Sequence, residues 1–305
     1  MNRRNFLQNN LIAGGAMLLG QNLFASKSNH PKLITEPSFK SNFAIHEGMF
    51  KNSAGLDFID QIQFAYDQGF RSIEDNGMMK RTPEMQEKIG NKLAKLGMDM
   101  GVFVISLVPN STVYLTNGQK DWREKFLQTC HEAVTVAKRV NAKYLTVVPG
   151  NYDRSLPMDI QTGNVIESLR PCADVLAKDN LVMVLEPLSD TPDLFLRYSD
   201  QTYAICKAVN SPACKILYDI YHMQRNEGNI IANIDRCWSE IAYIQIGDNP
   251  GRKEPGTGEI NFRNIFKHLY NKGYRGILGM EHGNAQPGIQ GEQDLIKAYR
   301  DADQF

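Results

Sequence analysis

Short apolar runs alternate with longer amphipathic stretches along most of the chain. Eight runs are nearly continuously apolar, and they lie at residues 42–45, 70–73, 98–105, 144–148, 181–185, 214–217, 241–246 and 276–280. Runs of this length and content are typical of strands in a parallel sheet that is covered on both faces. The pattern therefore predicts eight parallel strands separated by helices.

The stretches between these runs carry apolar residues at helical spacing. One of them begins with Thr82 and Pro83, a capping residue followed by a proline in the first turn. Its apolar face is formed by Met85, Ile89, Leu93 and Leu96. Similar spacing predicts further helices around 58–65, 126–140, 158–178, 198–209, 230–239, 262–271 and 290–301.

A glycine or an asparagine stands just before most of the predicted strands, namely Gly69, Gly97, Asn141, Asn180, Asn210 and Gly273. These residue types tolerate the left-handed conformation that ends a helix. Eight strand–helix units in this rhythm predict an α/β fold, a (β/α)8 TIM barrel. A doubly wound sheet is the alternative, but no GxGxxG motif follows the first strand.

Oxygen-bearing side chains stand at the ends of the last four predicted strands. They are Glu186, Asp219, Gln245 and Glu281. Each alone could be a helix cap or an ion-pair partner, but a barrel places its chemistry at the carboxyl ends of its strands. Three carboxylates packed together without a cation would repel one another. The arrangement therefore predicts a divalent metal site, and ligation by oxygen atoms alone favours Mg or Mn.

Three segments in the second half of the chain resemble the hydroxypyruvate isomerase family, which lies within the xylose isomerase-like TIM barrels. They read DIYHMQ at 219–224, IQIGDNPGR at 244–252 and EPGTGEIN at 254–261. The resemblance covers residues 180–285, and it implies that Glu186, Asp219, Gln245 and Glu281 hold the metal. It also implies that Glu186 and Glu281 form an acid/base pair and that His222 and Arg252 bind substrate.

The resemblance implies an intramolecular oxidoreductase of the aldose–ketose isomerase type. Such an enzyme moves a proton between adjacent carbons through an enediolate, on a substrate such as hydroxypyruvate, tartronate semialdehyde or a ketose. A ketose 3-epimerase is one alternative, although the related epimerases carry a histidine where this chain has Gln245. A non-catalytic, exported carbohydrate-binding barrel is the other alternative.

Composition narrows the class of partner. The chain has 34 basic and 34 acidic residues, so it carries no net charge with which to bind nucleic acid. Only six histidines are present, which argues against a DNA-repair endonuclease with several zinc ions. A small-molecule substrate is the expected partner, and a homo-oligomer is compatible with the sequence.

Five cysteines without metal-binding spacing favour buried free thiols, with disulfides as the alternative in an exported protein. The predicted mouth of the barrel offers three further polar residues, His46, Glu47 and Glu74, as substrate-lining groups or as a structural ion pair. His282 is expected to be structural. The glycine-rich loop at 249–258 is expected to act as a lid.

The first residues have the pattern of an export signal. Arg3 and Arg4 precede a short apolar run at 11–20 and small residues near Ala25, which resembles a twin-arginine signal. An uncleaved membrane anchor is the alternative, but the run is too short to span a bilayer. We therefore expect a signal at 1–26, a linker at 27–40 and a barrel at 41–305. This organisation predicts contact with the twin-arginine export machinery, a periplasmic location and no stable membrane insertion.

Overall fold

The computed structural model describes residues 38–105, 109 and 112–305. Eight parallel strands close into a barrel in chain order, with β8 paired to β1. The strands are β1 Asn42–Ile45, β2 Ser72–Ile73, β3 Asp99–Val104, β4 Ala142–Val147, β5 Val182–Leu185, β6 Cys214–Asp219, β7 Ile241–Gln245 and β8 Ile277–Gly279. The predicted (β/α)8 barrel is confirmed. The doubly wound alternative is wrong, because an open sheet would leave β1 and β8 unpaired.

Helices follow every strand. They are α1 Lys51–Ala54, α2 Phe58–Asp67, α3 Pro83–Leu96, α4 Lys120–Val140, α5 Met158–Ala177, α6 Ser199–Val209, α7 Ile220–Asn226, α8 Ile230–Cys237, α9 Phe262–Asn271 and α10 Gly288–Ala302. Two 3₁₀ turns, Met78–Lys80 and Trp238–Glu240, precede α3 and β7. Most predicted elements agree with these bounds to within two or three residues.

The clearest departures from prediction are the end of β6 and the helix after it. The apolar run ends at Leu217, yet β6 continues to Asp219, because Asp219 pairs in register with Gln245 on β7. The Asp219 side chain then caps α7, a helix of seven residues that the apolar spacing does not reveal. The short helix α1 was also not predicted.

The residues expected to end helices adopt the left-handed conformation. Asn141, Asn180 and Asn210 have φ of 53°, 57° and 55°, and Gly97 has φ of 64°. Each stands between a helix and the next strand, so the chain turns back toward the barrel at these points.

The core has two main parts. The larger part lies between the barrel and its helices and includes Phe43, Ile62, Phe103 and Leu145. A smaller cluster comes from six strands and from no helix, which places it inside the barrel: Ala44, Val102, Val184, Leu217, Tyr243 and Ile277. This inner layer supports the polar groups that follow it along the strands.

The predicted export signal, residues 1–26, and linker residues 27–37 lie outside the described residues. None of the helices that the structure describes combines the length and the apolar content needed to cross a bilayer. All five cysteines are buried free thiols, in agreement with the sequence.

Candidate active site

Three carboxylates and an imidazole meet at the carboxyl ends of β5, β6 and β8. Each of Glu186, Asp219, His222 and Glu281 contributes one atom to a group in which all four atoms lie within 4.8 Å of one another. The first three residues are buried, and Glu281 is partly exposed. The structure therefore brings together both predicted acid/base residues, the predicted ligand Asp219 and the predicted substrate-binding residue His222.

Asp219 is fixed by its position between a strand and a helix. Its Oδ1 accepts hydrogen bonds from the backbone N–H groups of Tyr221 (2.8 Å) and His222 (3.4 Å). These are among the first N–H groups of α7, which have no partner within the helix. The capping bonds hold the carboxylate rigidly, and the first turn of α7 carries His222 over the same site.

Gln245 lies at the end of β7, in register with Asp219 on one side and Gly279 on the other. Its Nε2 donates a hydrogen bond to Glu74 Oε2 over 3.2 Å. Its Oε1 is buried and has no hydrogen-bond partner among the described residues. The NH2 group of Gln245, the fourth predicted ligand, is thus hydrogen-bonded to Glu74, and its amide oxygen is available to a cation.

The hydrogen bonds of His222 determine which ring nitrogen carries the proton. The Ser189 backbone N–H donates to His222 Nδ1 over 3.1 Å, and Ser189 Oγ lies 2.7 Å from the same nitrogen. Since Nδ1 accepts, Nε2 carries the proton in the neutral ring. Nε2 lies 3.6 Å from Asp219 Oδ2 and 3.9 Å from Glu186 Oε1. In this tautomer His222 is a hydrogen-bond donor and not a metal ligand.

Arg252 joins two of the predicted ligands. Its Nη2 lies 3.0 Å from Asp219 Oδ2 and 2.5 Å from Glu281 Oε2, and its Nε donates to the Glu281 backbone carbonyl over 3.0 Å. The guanidinium also lies over the Tyr221 ring, 4.9 Å from its centroid. None of the three hydrogen bonds uses Nη1. The predicted substrate-binding arginine therefore reaches the carboxylates directly.

The loop that carries Arg252 is organised by a buried acid that sequence reasoning missed. Asp248 accepts four backbone hydrogen bonds, from Asn249, Gly256, Gly258 and Ile260, at 2.9–3.1 Å. Arg252 itself has a left-handed φ of 49°. The only signal of this role in the sequence is an acid at the start of a glycine-rich loop.

Asn76 is a second residue that was missed. Its Nδ2 donates to Glu281 Oε1 over 2.6 Å, so it orients the carboxylate from the β2 side of the barrel. The weak signal for this role is its position two residues after Glu74, at the end of β2.

The other polar residues at the mouth form pairs. His46 Nε2 lies 2.5 Å from Glu74 Oε2, and Arg81 joins Glu47 to Asp75. Burial opposes a charge on His46, but the hydrogen bond and the charge of Glu74 outweigh it and raise the pKa of His46. His282 stacks on Tyr299 and lies 2.7 Å from its hydroxyl, which is a structural role.

The site carries more negative charge than its setting can stabilise. Burial raises the pKa of Glu186 well above its ordinary value, and the charges of Glu281 and Asp219 raise it further. The same lack of solvation raises the pKa of Glu281 to about 7, against the opposing charge of Arg252. Burial lowers the pKa of His222. The charge of a divalent cation among the carboxylates would favour their ionised forms and so lower these raised carboxyl pKa values.

The unpartnered atoms fit such a cation. Glu186 Oε1 and Gln245 Oε1 are buried oxygens without hydrogen-bond partners in the described part of the chain. With Asp219 Oδ2 and a Glu281 oxygen they make a donor set of oxygen atoms alone, which suits Mg or Mn. These four residues could therefore hold the ion, with His222 beside it as a donor.

Comparisons with known proteins identify relatives of this chain. The chain is 33% identical over 161 residues to hydroxypyruvate isomerase of Escherichia coli K12, an alignment that covers 52% of this chain and 62% of that protein. It is 34% identical over 119 residues to 2-oxo-tetronate isomerase of Cupriavidus necator, covering 38% and 46% of the two chains. The alignments thus span less than two thirds of these relatives' lengths.

The fold is also that of a solved structure, the family 2 AP endonuclease of Brucella melitensis. The two chains superpose with a TM-score of 0.72 at 22% identity, over 82% of this chain and 96% of that one. The family described as xylose isomerase-like TIM barrel matches residues 62–301, which is most of the barrel. The chain therefore belongs to the xylose isomerase-like TIM barrel family.

Proposed function

We propose that the protein is a metal-dependent isomerase of small hydroxy-carbonyl compounds. The observation that carries the proposal is the approach of Glu186 and Glu281, from β5 and β8, to within 4.8 Å of each other with Asp219 in the same group. Similarity to hydroxypyruvate isomerase and 2-oxo-tetronate isomerase supports this substrate class.

The residues that would hold the metal are Glu186, Asp219, Gln245 and Glu281. When bound there, a divalent ion would supply Lewis-acid stabilisation of the negative charge that develops on two neighbouring substrate oxygens. The oxygen donor set favours Mg or Mn.

The two glutamates would move the proton. They enter the site from strands on different sides of the pocket, so one can remove the proton from a substrate carbon and the other can return it. Asn76 and Arg252 hold both oxygens of Glu281, while Glu186 Oε1 has no hydrogen-bond partner among the residues that the structure describes and is left for the cation.

His222 and Arg252 would orient the substrate. His222 presents an Nε2–H in the tautomer that Ser189 imposes, which suits a substrate hydroxyl or carbonyl oxygen. Arg252 has Nη1 outside its three bonds to Asp219 and Glu281, and a planar guanidinium suits a carboxylate such as that of hydroxypyruvate.

The test is proton exchange in deuterated water. Protein loaded with Mn²⁺ is incubated with hydroxypyruvate and with ketoses, and deuterium incorporation is followed by NMR. We expect deuterium at the carbon next to the carbonyl, and loss of exchange by at least about 100-fold in Glu186→Gln and Glu281→Gln, since each removes a general base.

The alternatives give different results. A ketose 3-epimerase would return the deuteron to the same carbon with inverted configuration, while an isomerase yields the neighbouring carbonyl. A non-catalytic binding barrel would show saturable binding without exchange. Exchange that persists undiminished in both glutamine variants would contradict the assigned roles of the glutamates.

A further inference from the structure

A buried carboxylate that the proposed proton transfer does not use lies directly behind the site. Glu74 follows β2 and is completely buried. Its Oε2 accepts hydrogen bonds from two side chains, His46 Nε2 at 2.5 Å and Gln245 Nε2 at 3.2 Å. Burying a carboxylate is costly unless it is paired and hydrogen-bonded, and His46 and Gln245 supply these partners.

The hydrogen bond to Glu74 determines how the Gln245 amide is oriented. The Glu74 carboxylate oxygen that accepts a hydrogen bond from His46 has no proton of its own to donate. Gln245 must therefore turn its NH2 group toward this oxygen. The amide oxygen then faces the opposite way, and Gln245 Oε1 is left buried and unpartnered among the described residues. With the amide flipped, an NH2 group would stand where a cation needs an oxygen.

The barrel makes room for this carboxylate at a glycine. A Cβ atom at Gly279 on β8 would collide with the Glu74 carboxyl group. Glycine inside a strand is otherwise unfavourable, and it commonly marks the close approach of another group. Gly101 on β3 chiefly leaves space for Tyr243, whose hydroxyl would lie closer to an added Cβ than Glu74 Cγ, which would be 3.0 Å away.

We propose that Glu74, held by His46, is a positioning residue that fixes the Gln245 amide with its oxygen toward the cation site. The proposal rests on the cation site of the proposed function. It assigns Glu74 and His46 to the support of a ligand and not to contact with substrate.

The test measures Mn²⁺ binding by calorimetry in the full-length protein. Glu74→Met removes the acceptor and the charge, whereas Glu74→Gln removes the charge but keeps an acceptor oxygen. Because loss of a residue that orients a metal ligand typically weakens metal binding 10- to 100-fold, we expect Glu74→Met to weaken binding by about tenfold or more. Glu74→Gln should stay within about threefold of the wild type, since one missing charge outside the ligand set matters less than a misplaced ligand.

A double-mutant cycle with Gln245→Met separates the positioning of Gln245 by Glu74 from a direct effect of the Glu74 charge on Mn²⁺ binding. If Glu74 acts through Gln245, Glu74→Met has no further effect once Gln245 is methionine. Equal losses in Glu74→Met and Glu74→Gln, or a full further loss in the Gln245→Met background, would overturn the proposal. Normal Mn²⁺ binding in every Glu74 variant would overturn the positioning role of Glu74. Failure of the wild-type protein to bind Mn²⁺ would instead overturn the cation site itself.

A second measurement covers the case in which Glu74→Met does not fold. In wild-type protein labelled with ¹⁵N-glutamine, the Gln245 amide is assigned by its disappearance in Gln245→Met. We expect one Nε2 proton to be shifted downfield and protected from exchange, both before and after Mg²⁺ is added. Free exchange of both protons would show that Glu74 does not hold the amide.

Discussion

Glu281 carries a protonation change that a pH series should reveal. Its pKa is raised to about 7 from an ordinary value of 4.5. Between these values the folded protein binds a proton that the unfolded chain has released, so this group's contribution to stability is lost as pH rises toward and through 7. We predict that the metal-free protein loses thermal stability between about pH 5 and 8, and that Glu281→Gln shows a shallower decrease.

The measurement is the unfolding temperature across this pH range in the presence of a chelator. Glu167→Gln is the control, because Glu167 lies on the surface, where it pairs with Arg123. Parallel pH profiles for the wild type and Glu281→Gln would contradict the raised pKa.

Sequence reasoning found the residues that carry charge into the site but not those that hold them in place. Glu186, Asp219 and Glu281 could be predicted because an acid directly after an apolar strand is costly to bury without a partner. Asn76 and Ser189 act through hydrogen bonds across the fold, and Asp248 acts on the backbone of its own loop. Such contacts leave no periodic pattern. Arg252 was predicted to bind substrate, yet its contact with Asp219 depends on a left-handed backbone that the sequence does not reveal.

At the scale of elements, the loop after β7 depends on one side chain. Asp248 receives four backbone N–H groups on its two oxygens. In Asp248→Asn the new NH2 group would face two of these donors, so we predict a loss of about 2–4 kcal/mol in the free energy of unfolding. Faster proteolytic cleavage within 249–260 and weaker substrate affinity should accompany it, because the loop carries Arg252.

The matched control is Asp153→Asn. Asp153 also accepts hydrogen bonds in a turn, from Ser155, but that turn is exposed and far along the chain from Arg252. A smaller effect on stability and none on substrate affinity is expected there. An Asp248→Asn protein that resists proteases as well as the wild type does would disprove the role given to Asp248.

The strand glycines make a second prediction at this scale. Gly279→Ala would push a methyl group into the Glu74 carboxyl, so we expect destabilisation by about 1–3 kcal/mol, measured by urea unfolding. Gly163→Ala in α5 is the control, since its added Cβ meets no atom within 4 Å and should stabilise by about 0.5–1 kcal/mol. The interpretation fails if both variants have the same stability.

At the scale of the whole molecule, the fold was predictable because its signals repeat. Each unit contributes an apolar strand, an amphipathic helix and a glycine or asparagine that ends the helix. An error in the bounds of one unit therefore leaves the predicted number of strand–helix units unchanged. The parts that were missed, α1 and α7, are short helices stabilised by a single acid. Glu292 accepts hydrogen bonds from the backbone of Asn52 and Ser53 in α1, and Asp219 does the same for α7. The contact that holds α1 comes from a residue 239–240 positions away in the chain, and the seven residues of α7 are too few for apolar spacing to reveal a helix.

The predicted export signal can be tested in the whole cell. Replacing Arg3 and Arg4 with lysine should keep the protein in the cytoplasm, because the paired arginines are what marks the twin-arginine route. Fractionation followed by immunoblotting measures this, with a lysine substitution of Arg123 as the control. Normal appearance of the double variant in the periplasm would contradict the predicted signal.

Arg252 gives the acidic site a resident counter-charge. Because its guanidinium lies against both Asp219 and Glu281, loading the proposed site would be an exchange of one cation for another and not the filling of empty space. In stopped-flow mixing, the observed rate of Mn²⁺ uptake should then level off at high concentration, at the rate with which the arginine departs. In Arg252→Gln the observed rate of uptake should rise linearly with Mn²⁺ concentration.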